Sequence, residues 1–294
     1  SQIAGAWVTQ PLQVASLNMM TNDSIRLLGI KKSARLGYTK MMVAALLYLA
    51  EHKKRSAVVY QPVDDESDEF VIDEVDSVIA EMPIIQKIFP DWAVKSENNK
   101  VSKKVMVGSI IDFRGATAPG NFRRLTKQLV IGDEVNAWPL EVGKKGKGEG
   151  NPIKLALQRL KGASFPKAIF GTTPTVDGNS HISNILDDCD LIFRFYLPCP
   201  HCGTEQVLEF GERDGELKEY GLLWDDTLST NEKKARAAHY KCCNTSECGQ
   251  SFHYADLTKM ELAGRWIAED LTWTKDGLNF YTEDGRRTQP PKKV

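Results

Sequence analysis

Ile25-Arg-Leu-Leu-Gly-Ile-Lys-Lys-Ser-Ala-Arg-Leu-Gly-Tyr-Thr-Lys-Met-Met-Val-Ala-Ala-Leu-Leu-Tyr-Leu49 joins a short apolar run, a turn carrying four basic residues and an apolar helical pattern. It reads as strand, phosphate loop and helix. Gly37-Tyr38-Thr39 closes the turn where such a loop ordinarily shows Gly-Lys-Ser/Thr. Thr39 is therefore expected to offer its hydroxyl to Mg²⁺, and the free N–H groups at the helix start are expected to face phosphate. The ordinary lysine is missing and Tyr38 fills its slot. Lys32 stands five residues before Gly37, where the loop's first glycine normally lies. Its long, flexible side chain can still reach β- and γ-phosphates as a point charge.

Working outward, the 294-residue chain is long enough for one large α/β domain or two modest ones. A formal net charge of −1 argues against a uniformly basic nucleic-acid coat but leaves room for local basic patches. No apolar run approaches the length of a membrane span, and Ser1 opens no signal-peptide pattern, so the expected setting is cytoplasmic. All six cysteines fall between Cys189 and Cys248, a clustering that points to a metal site rather than a disulfide framework.

Upstream of the loop, Gln13 lies just before the amphipathic stretch Val14–Met20, and its amide has the donor and acceptor needed to read an adenine edge. Downstream, Ala57–Tyr60 is a buried-strand run. The acidic cluster Asp64–Glu69 is expected to be the solvated start of a helix that runs to about Ile79, and residues 83–99 read as irregular. Gly108-Ser109 sits between two strand-like runs as a hairpin. Leu129-Val-Ile-Gly-Asp133-Glu134 describes a buried parallel strand whose carboxyl end delivers two acids. Asp133 is expected to hold Mg²⁺, and Glu134 to orient and deprotonate the attacking water. Lys167–Thr172 is another strand, ending in hydroxyls: Thr172 and Thr173 are placed to bind the water or the γ-phosphate. The loop Gly143–Gly150 is flexible and basic, with Lys144, Lys145 and Lys147 as candidate DNA contacts and a plain solvated loop as the alternative.

Cys199-Pro-His-Cys202 is a knuckle, and forty residues after Cys202 comes Cys242-Cys243-Asn-Thr-Ser-Glu-Cys248. Four thiolates from two tight turns suit a closed tetrahedral Zn²⁺ site, which is structural rather than catalytic. Cys199, Cys202 and Cys248 are expected ligands, with Cys242 or Cys243 as the fourth. Cys189 has no knuckle and reads as a buried thiol.

Together these segments resemble the large terminase subunits of tailed bacteriophages, in particular the lambda-type branch. The resemblance runs in order through Trp7–Gln13, Lys32-Ser-Ala-Arg-Leu-Gly-Tyr-Thr-Lys40, Pro62–Phe70, Asn121–Arg123, Asp133-Glu134, Phe165–Pro174, the first cysteine knuckle and Trp273–Gly277. The forward position of the loop lysine is its most specific part. It implies an ATP-driven motor that moves double-stranded DNA into a procapsid in the host cytoplasm, working as a homo-oligomeric ring with portal protein and small terminase subunit. It makes Gln13 the adenine reader, Trp7 the available stacking aromatic, Lys32 the phosphate lysine, and Ser33, Ala34, Arg35, Leu36, Gly37, Tyr38, Thr39 and Lys40 the ATP-binding loop. It further implies that Thr39 and Asp133 hold Mg²⁺, Glu134 is the catalytic carboxylate, Arg35 senses γ-phosphate charge, and Thr172 and Thr173 couple hydrolysis to movement. Arg123 is either a trans-acting finger or a DNA contact. The nuclease domain that accompanies this module in the family has no acidic cluster here.

The expected architecture is a three-layer α/β P-loop domain with a mainly parallel sheet (residues 1–189), a zinc-ribbon insertion (190–255), and C-terminal strands leading into a polar, proline-rich linker (256–294). Two other readings are a helicase-like translocase and a non-hydrolysing zinc-ribbon adaptor with a degenerate phosphate loop.

Overall fold

The computed structural model describes residues 7–143, 148–174, 180–213, 216–225 and 227–294, with the side chains of 212, 213, 216 and 217 left out. Lys144, Lys145 and Lys147 lie outside the described residues. Two compact units divide the chain, one made of 17–192 with 290–294, the other of 5–16 with 193–289. The first helix, α1 (Pro11–Thr21), crosses that division.

The larger unit is built on a seven-stranded sheet. Its strands are β1 (Leu27–Lys31), β2 (Ala57–Gln61), β3 (Asn99–Lys100), β4 (Lys103–Met106), β5 (Ser109–Gly115), β6 (Leu129–Gly132) and β7 (Lys167–Thr172), in the order β1-β7-β6-β2-β5-β4-β3. β1, β7, β6, β2 and β5 run parallel, and β4 and β3 extend the sheet by hairpin pairing. The expected hairpin is present, with Met106 paired to Ser109 and Gly108 at φ +86°.

The short apolar runs become strands because both faces of the sheet are covered. On one face Val58, Tyr60, Val130, Ala168 and Phe170 pack with Trp138, Ile153, Ala156, Ile182 and Ile185. The latter come partly from α6 (Pro152–Leu157) and α7 (His181–Asp187). Their sequence neighbours Val59, Ile131 and Ile169 are equally buried and, by strand alternation, face the other way. α2 (Tyr38–His52) lies outside that cluster and packs on β5 and on residues 71–76. Helix, sheet and helix make the expected three-layer α/β arrangement.

Three expectations change in this unit. The acidic stretch does open a helix, α3 (Asp64–Phe70), but Asp64 is more than a solvated charge: its Oδ1 accepts the Gly115 N–H at 2.7 Å and the Asn121 amide at 2.8 Å. The helix then passes through a π-helical stretch, Val71–Asp76, before α4 (Ser77–Glu81). Residues 83–99 are not wholly irregular, because Pro83 at the first helical position starts α5 (Pro83–Ile88). The polar tail also returns to the sheet. Lys293 bridges Leu27 in parallel, Gly29 N–H donates to Val294 O at 2.6 Å, and Val294 is buried. Edge strand β1 has free backbone groups, and this segment satisfies them.

In the second unit, β8 (Phe193–Pro198), β9 (Glu205–Gln206), β15 (Arg265–Ala268), β16 (Trp273–Thr274), β17 (Phe280–Tyr281) and β18 (Arg287–Thr288) form one antiparallel sheet. Between them lie the pair β10 (Glu212–Arg213) and β11 (Glu216–Leu217) and the three-stranded sheet β12 (Gly221–Leu223), β13 (His239–Lys241) and β14 (Ser251–Phe252). α8 (Asn231–Ala237) precedes β13 and α9 (Tyr254–Ala263) follows β14. The expected boundary at 255/256 has no counterpart in this sheet: β8 from before it pairs with β15 from after it along four residues. One buried cluster of this unit is Leu197, Phe252 and Met260, with Phe195, Leu208, Tyr240 and Leu257 packed around it, and Phe280 is buried as well.

Two measurements check this packing. A Cβ on Gly132 would lie 2.6 Å from the Phe170 ring and 2.8 Å from Trp138. Gly132→Ala is expected to lower stability by about 1–3 kcal/mol in urea unfolding. Lys167 is buried with its ammonium donating to Asn22 O at 2.7 Å and Ile25 O at 2.5 Å, and burial pushes its pKa down to about 7, with Arg55 and Lys53 adding to the fall against Asp23. A lysine whose folded pKa is depressed leaves the unfolded chain binding more protons above that pKa. Stability is therefore expected to rise with pH between about pH 7 and pH 9, and Lys167→Met to flatten that slope.

Candidate active site

The parallel strands all end on one edge, so Lys32 after β1, Gln61 at the end of β2, Asp133 and Glu134 after β6, and Thr172 and Thr173 at the end of β7 converge there. Lys32 N–H donates to Thr172 O at 3.1 Å, tying the start of the loop to β7. The loop then turns through Arg35 at φ +64° and Gly37 at φ +74°, and α2 begins at Tyr38. A glycine suits the left-handed position at the helix start, and the first-turn N–H groups have no carbonyl within the helix to bind.

Lys32 does not point away from the acids. Its Nζ donates to Glu134 Oε1 at 2.7 Å and to Thr173 Oγ1 at 3.1 Å, and it lies 5.1 Å from the centroid of the Tyr38 ring. The other Glu134 oxygen accepts from Thr172 Oγ1 at 3.0 Å and from the Thr173 N–H at 3.1 Å. Glu134 itself sits at φ 42°, ψ 48°, a left-handed conformation that is uncommon for residues other than glycine.

The two acids are pulled in opposite directions. Asp133 is pushed up to about 6, first by burial and next by the Glu134 charge; the Glu134 N–H at 2.9 Å, Lys32 and the Gln61 amide at 3.4 Å pull the other way. Burial also raises Glu134, but the Lys32 and Thr173 hydrogen bonds, the Lys32 charge and the Thr172 hydroxyl outweigh it and leave its pKa below the ordinary value. One acid is held ionised beside another that protonates easily, a separation that assigns different roles to paired carboxylates.

A cleft of about 670 Å³ opens over the loop, lined by Lys32, Ser33, Arg35 through Lys40, and Glu74. Ala34 is exposed beside it and does not line it. Arg35 is exposed and has no ion-pair partner among the described residues. Lys40 lines the cleft and pairs with Glu74 at 2.5 Å. Gln13 is buried at the start of α1, where its amide oxygen accepts the Gln10 N–H at 2.9 Å, while Trp7 is exposed and donates to Thr9. Arg123 is exposed and paired with Glu149. The oxygen donors of Asp133 and Thr39 are of the hard type that suits Mg²⁺.

In the second unit, the Sγ atoms of Cys199, Cys202, Cys242 and Cys248 all lie within 4.8 Å of one another. The Cys202–Cys242 and Cys199–Cys248 separations are 3.7 and 4.0 Å. A tetrahedron of 2.3 Å Zn–S bonds has edges of about 3.8 Å, so the cluster fits such an ion. Both knuckles are closed by backbone: Gly203 N–H donates to Cys199 O, and the Cys248 and Gly249 N–H groups donate to Asn244 O. Cys243 is outside the group; its N–H donates to Gln206 instead. His201 and His253 are outside it too: His201 contacts Ser251 O, and His253 caps α9. Cys189 is half-buried, donates to Ile185 O, and has its pKa raised to about 11, chiefly by burial.

The family of the phage terminase large subunit gpA, ATPase domain, matches residues 1–266. The chain belongs to this family. The large terminase subunit of Enterobacteria phage P21 is 33% identical over 296 residues, covering 100% of this chain and 43% of that protein. That of Escherichia phage lambda is 31% identical over 294 residues, covering 99% and 43%. The chain thus spans less than half the length of these relatives. Among solved structures, the HK97 bacteriophage large terminase is similar over 63% of this chain and 37% of that one, at 14% identity and a TM-score of 0.46.

Several residues around the site of this gpA-type ATPase domain carry no sequence motif. Gln61 ends a buried strand and reaches Asp133; a polar residue closing an apolar run was its only signal. Trp138 donates its indole N–H to Asp133 O at 2.9 Å and so fixes the turn that presents the acids. Asn136 accepts the Ile182 N–H, anchoring the same turn to α7. Glu74 faces the cleft because the π-helical stretch alters the register of an otherwise solvated acidic helix.

Proposed function

We propose that this chain is the ATPase motor module of a phage terminase, coupling ATP hydrolysis to the translocation of double-stranded DNA into a procapsid. The observation that carries this reading is the meeting of Lys32, Glu134, Thr172 and Thr173 at the carboxyl edge of the sheet. A degenerate, non-hydrolysing loop gives no reason for a lysine from one strand end to be bonded to an acid from another.

In this reading the loop from Lys32 to Lys40 receives the triphosphate, and Lys32 and the first-turn N–H groups of α2 neutralise it. Gln13 reads adenine and Arg35, exposed on the loop, meets γ-phosphate charge. Thr39 and Asp133 hold Mg²⁺, which when bound spreads the charge developing on the phosphate oxygens. Ionised Glu134 takes the proton from a water whose oxygen forms the new bond to the γ-phosphorus. The bond to the bridging oxygen breaks, and ADP and inorganic phosphate leave. Thr172 and Thr173 bind the carboxylate directly, so a change in Glu134 is transmitted to the end of β7.

The wider assignments follow the same reading: sequence-independent phosphate contacts to duplex DNA, a homo-oligomeric ring, portal protein and small subunit as partners, and the host cytoplasm as the setting. Arg123, exposed on the surface, serves DNA or a neighbouring subunit once released from Glu149. Zn²⁺ held by Cys199, Cys202, Cys242 and Cys248 cross-links the second unit.

ATP turnover with Mg²⁺ and duplex DNA tests the motor. Glu134→Gln is expected to lower kcat at least about a hundredfold while nucleotide still binds; unchanged turnover would remove Glu134 from the chemistry. For the metal, elemental analysis is expected to find one zinc per chain, with Cys199→Ser losing zinc and thermal stability and Cys243→Ser keeping both. Full zinc in the Cys199→Ser protein would refute the ligand set.

A further inference from the structure

The phosphate loop differs from the ordinary pattern twice, by a lysine moved to its start and by a tyrosine in the lysine's slot. The two departures meet in space. Tyr38 is 3% exposed, with its ring turned in under the loop, and the Lys32 ammonium lies 5.1 Å from the ring centroid. A Cβ placed on Gly171 would fall 2.2 Å from Tyr38 Cζ and 2.3 Å from its hydroxyl oxygen, so the ring rests on bare β7 backbone. Gly171 pairs with Ile30 of β1, two residues before Lys32, and immediately precedes Thr172 and Thr173. One aromatic ring is therefore wedged between the strand end that launches Lys32 and the strand end that bears its hydroxyl partner.

The Tyr38 hydroxyl is buried and has no hydrogen-bond partner among the described residues. That loss is costly for a phenol selected for its polar end. The ring face is the part with a partner. A buried aromatic face attracts an ammonium lying over it and also limits where a flexible four-carbon chain can lie.

From this geometry we infer that Tyr38 is the positioning residue for Lys32: its ring, seated on Gly171, is the platform that holds the displaced lysine's ammonium at Glu134 and Thr173. The lysine could move to the start of the loop because the vacated slot supplies its support. The inference deepens the ATPase reading and rests on it for its effect on turnover. The platform itself is a property of the folded chain without nucleotide.

A double-mutant cycle in ATP turnover tests it. Tyr38→Leu is expected to lower kcat/KM about tenfold when Lys32 is present. Tyr38→Phe, which keeps the ring and deletes the hydroxyl, is expected to restore most of that loss. In the Lys32→Ala background, Tyr38→Leu is expected to cost less than about twofold, because the platform then supports nothing. Equal losses with and without Lys32, or failure of phenylalanine to restore activity, would overturn the inference in favour of a general packing role. Carbon-13 lysine NMR of the unsubstituted chain, without ATP, is the companion measurement. Ring current from Tyr38 is expected to move the Lys32 ε-CH₂ protons upfield of the other lysines, and their absence from that region would overturn the platform. If the chain shows no ATP turnover but keeps the shifted resonance, the ATPase reading fails and the platform stands.

Discussion

Lys32 and Glu134 are 102 residues apart in the chain and 2.7 Å apart in the fold. Most of the site depends on that contact. Two carboxylates adjacent in sequence and set at a buried sheet edge repel one another and both resist ionisation. The lysine settles the conflict for one of them: Glu134 stays charged, and Asp133 absorbs the penalty. The contact in turn depends on strand order. Only because β7 lies between β1 and β6, with all three parallel, do the three strand ends deliver a cation, a pair of acids and two hydroxyls to one place. The left-handed backbone at Glu134 belongs to the same arrangement, since the turn after β6 is held by Trp138 from behind and by Asn136 from the side.

Much of this was readable from residues alone. Apolar runs of four to six residues became β2, β6 and β7, because strands covered on both faces leave that mark. The acids and threonines were readable for a related reason, being polar residues placed directly after such runs. What escaped was set by long-range packing. Gln61 and Glu74 have no spacing that announces them, and their roles come from which strand lies next to β6 and from a register change inside a helix. The segment Lys292–Val294 reads as tail in sequence, yet it is partner to an exposed strand edge, and backbone hydrogen bonding of that kind leaves little trace in side-chain identity. The boundary expected after residue 255 follows the extent of the cysteine-bearing stretch, while the pairing of β8 with β15 joins residues from either side of it in one sheet. Cys242 and Cys243 differ by one position, and only the direction of each sulfur distinguishes them.

The two units manage their stability differently. The first buries an extended apolar cluster on a parallel sheet, with Phe170, Tyr60 and Trp138 at its centre. The second has a smaller buried cluster around Leu197, Phe252 and Met260, a separately buried Phe280, many two-residue strands and a bidentate Arg265–Glu205 pair at 2.6 and 2.7 Å. Four sulfurs from the two knuckles come within 4.8 Å of one another, and a metal bound there would tie the knuckles together.

Gly171 has one further consequence, for how this sequence can change over time. No side chain fits at 171 while an aromatic ring occupies 38, and no aromatic ring finds its seat if 171 acquires a side chain. The two positions are separated by more than a hundred residues, yet neither can drift alone without an intermediate that is crowded or hollow. Sterically the two positions constrain each other. A lineage returning the lysine to its ordinary slot would have to give up the ring and free position 171 from its constraint, so the unusual loop, once adopted, is hard to leave by single substitutions.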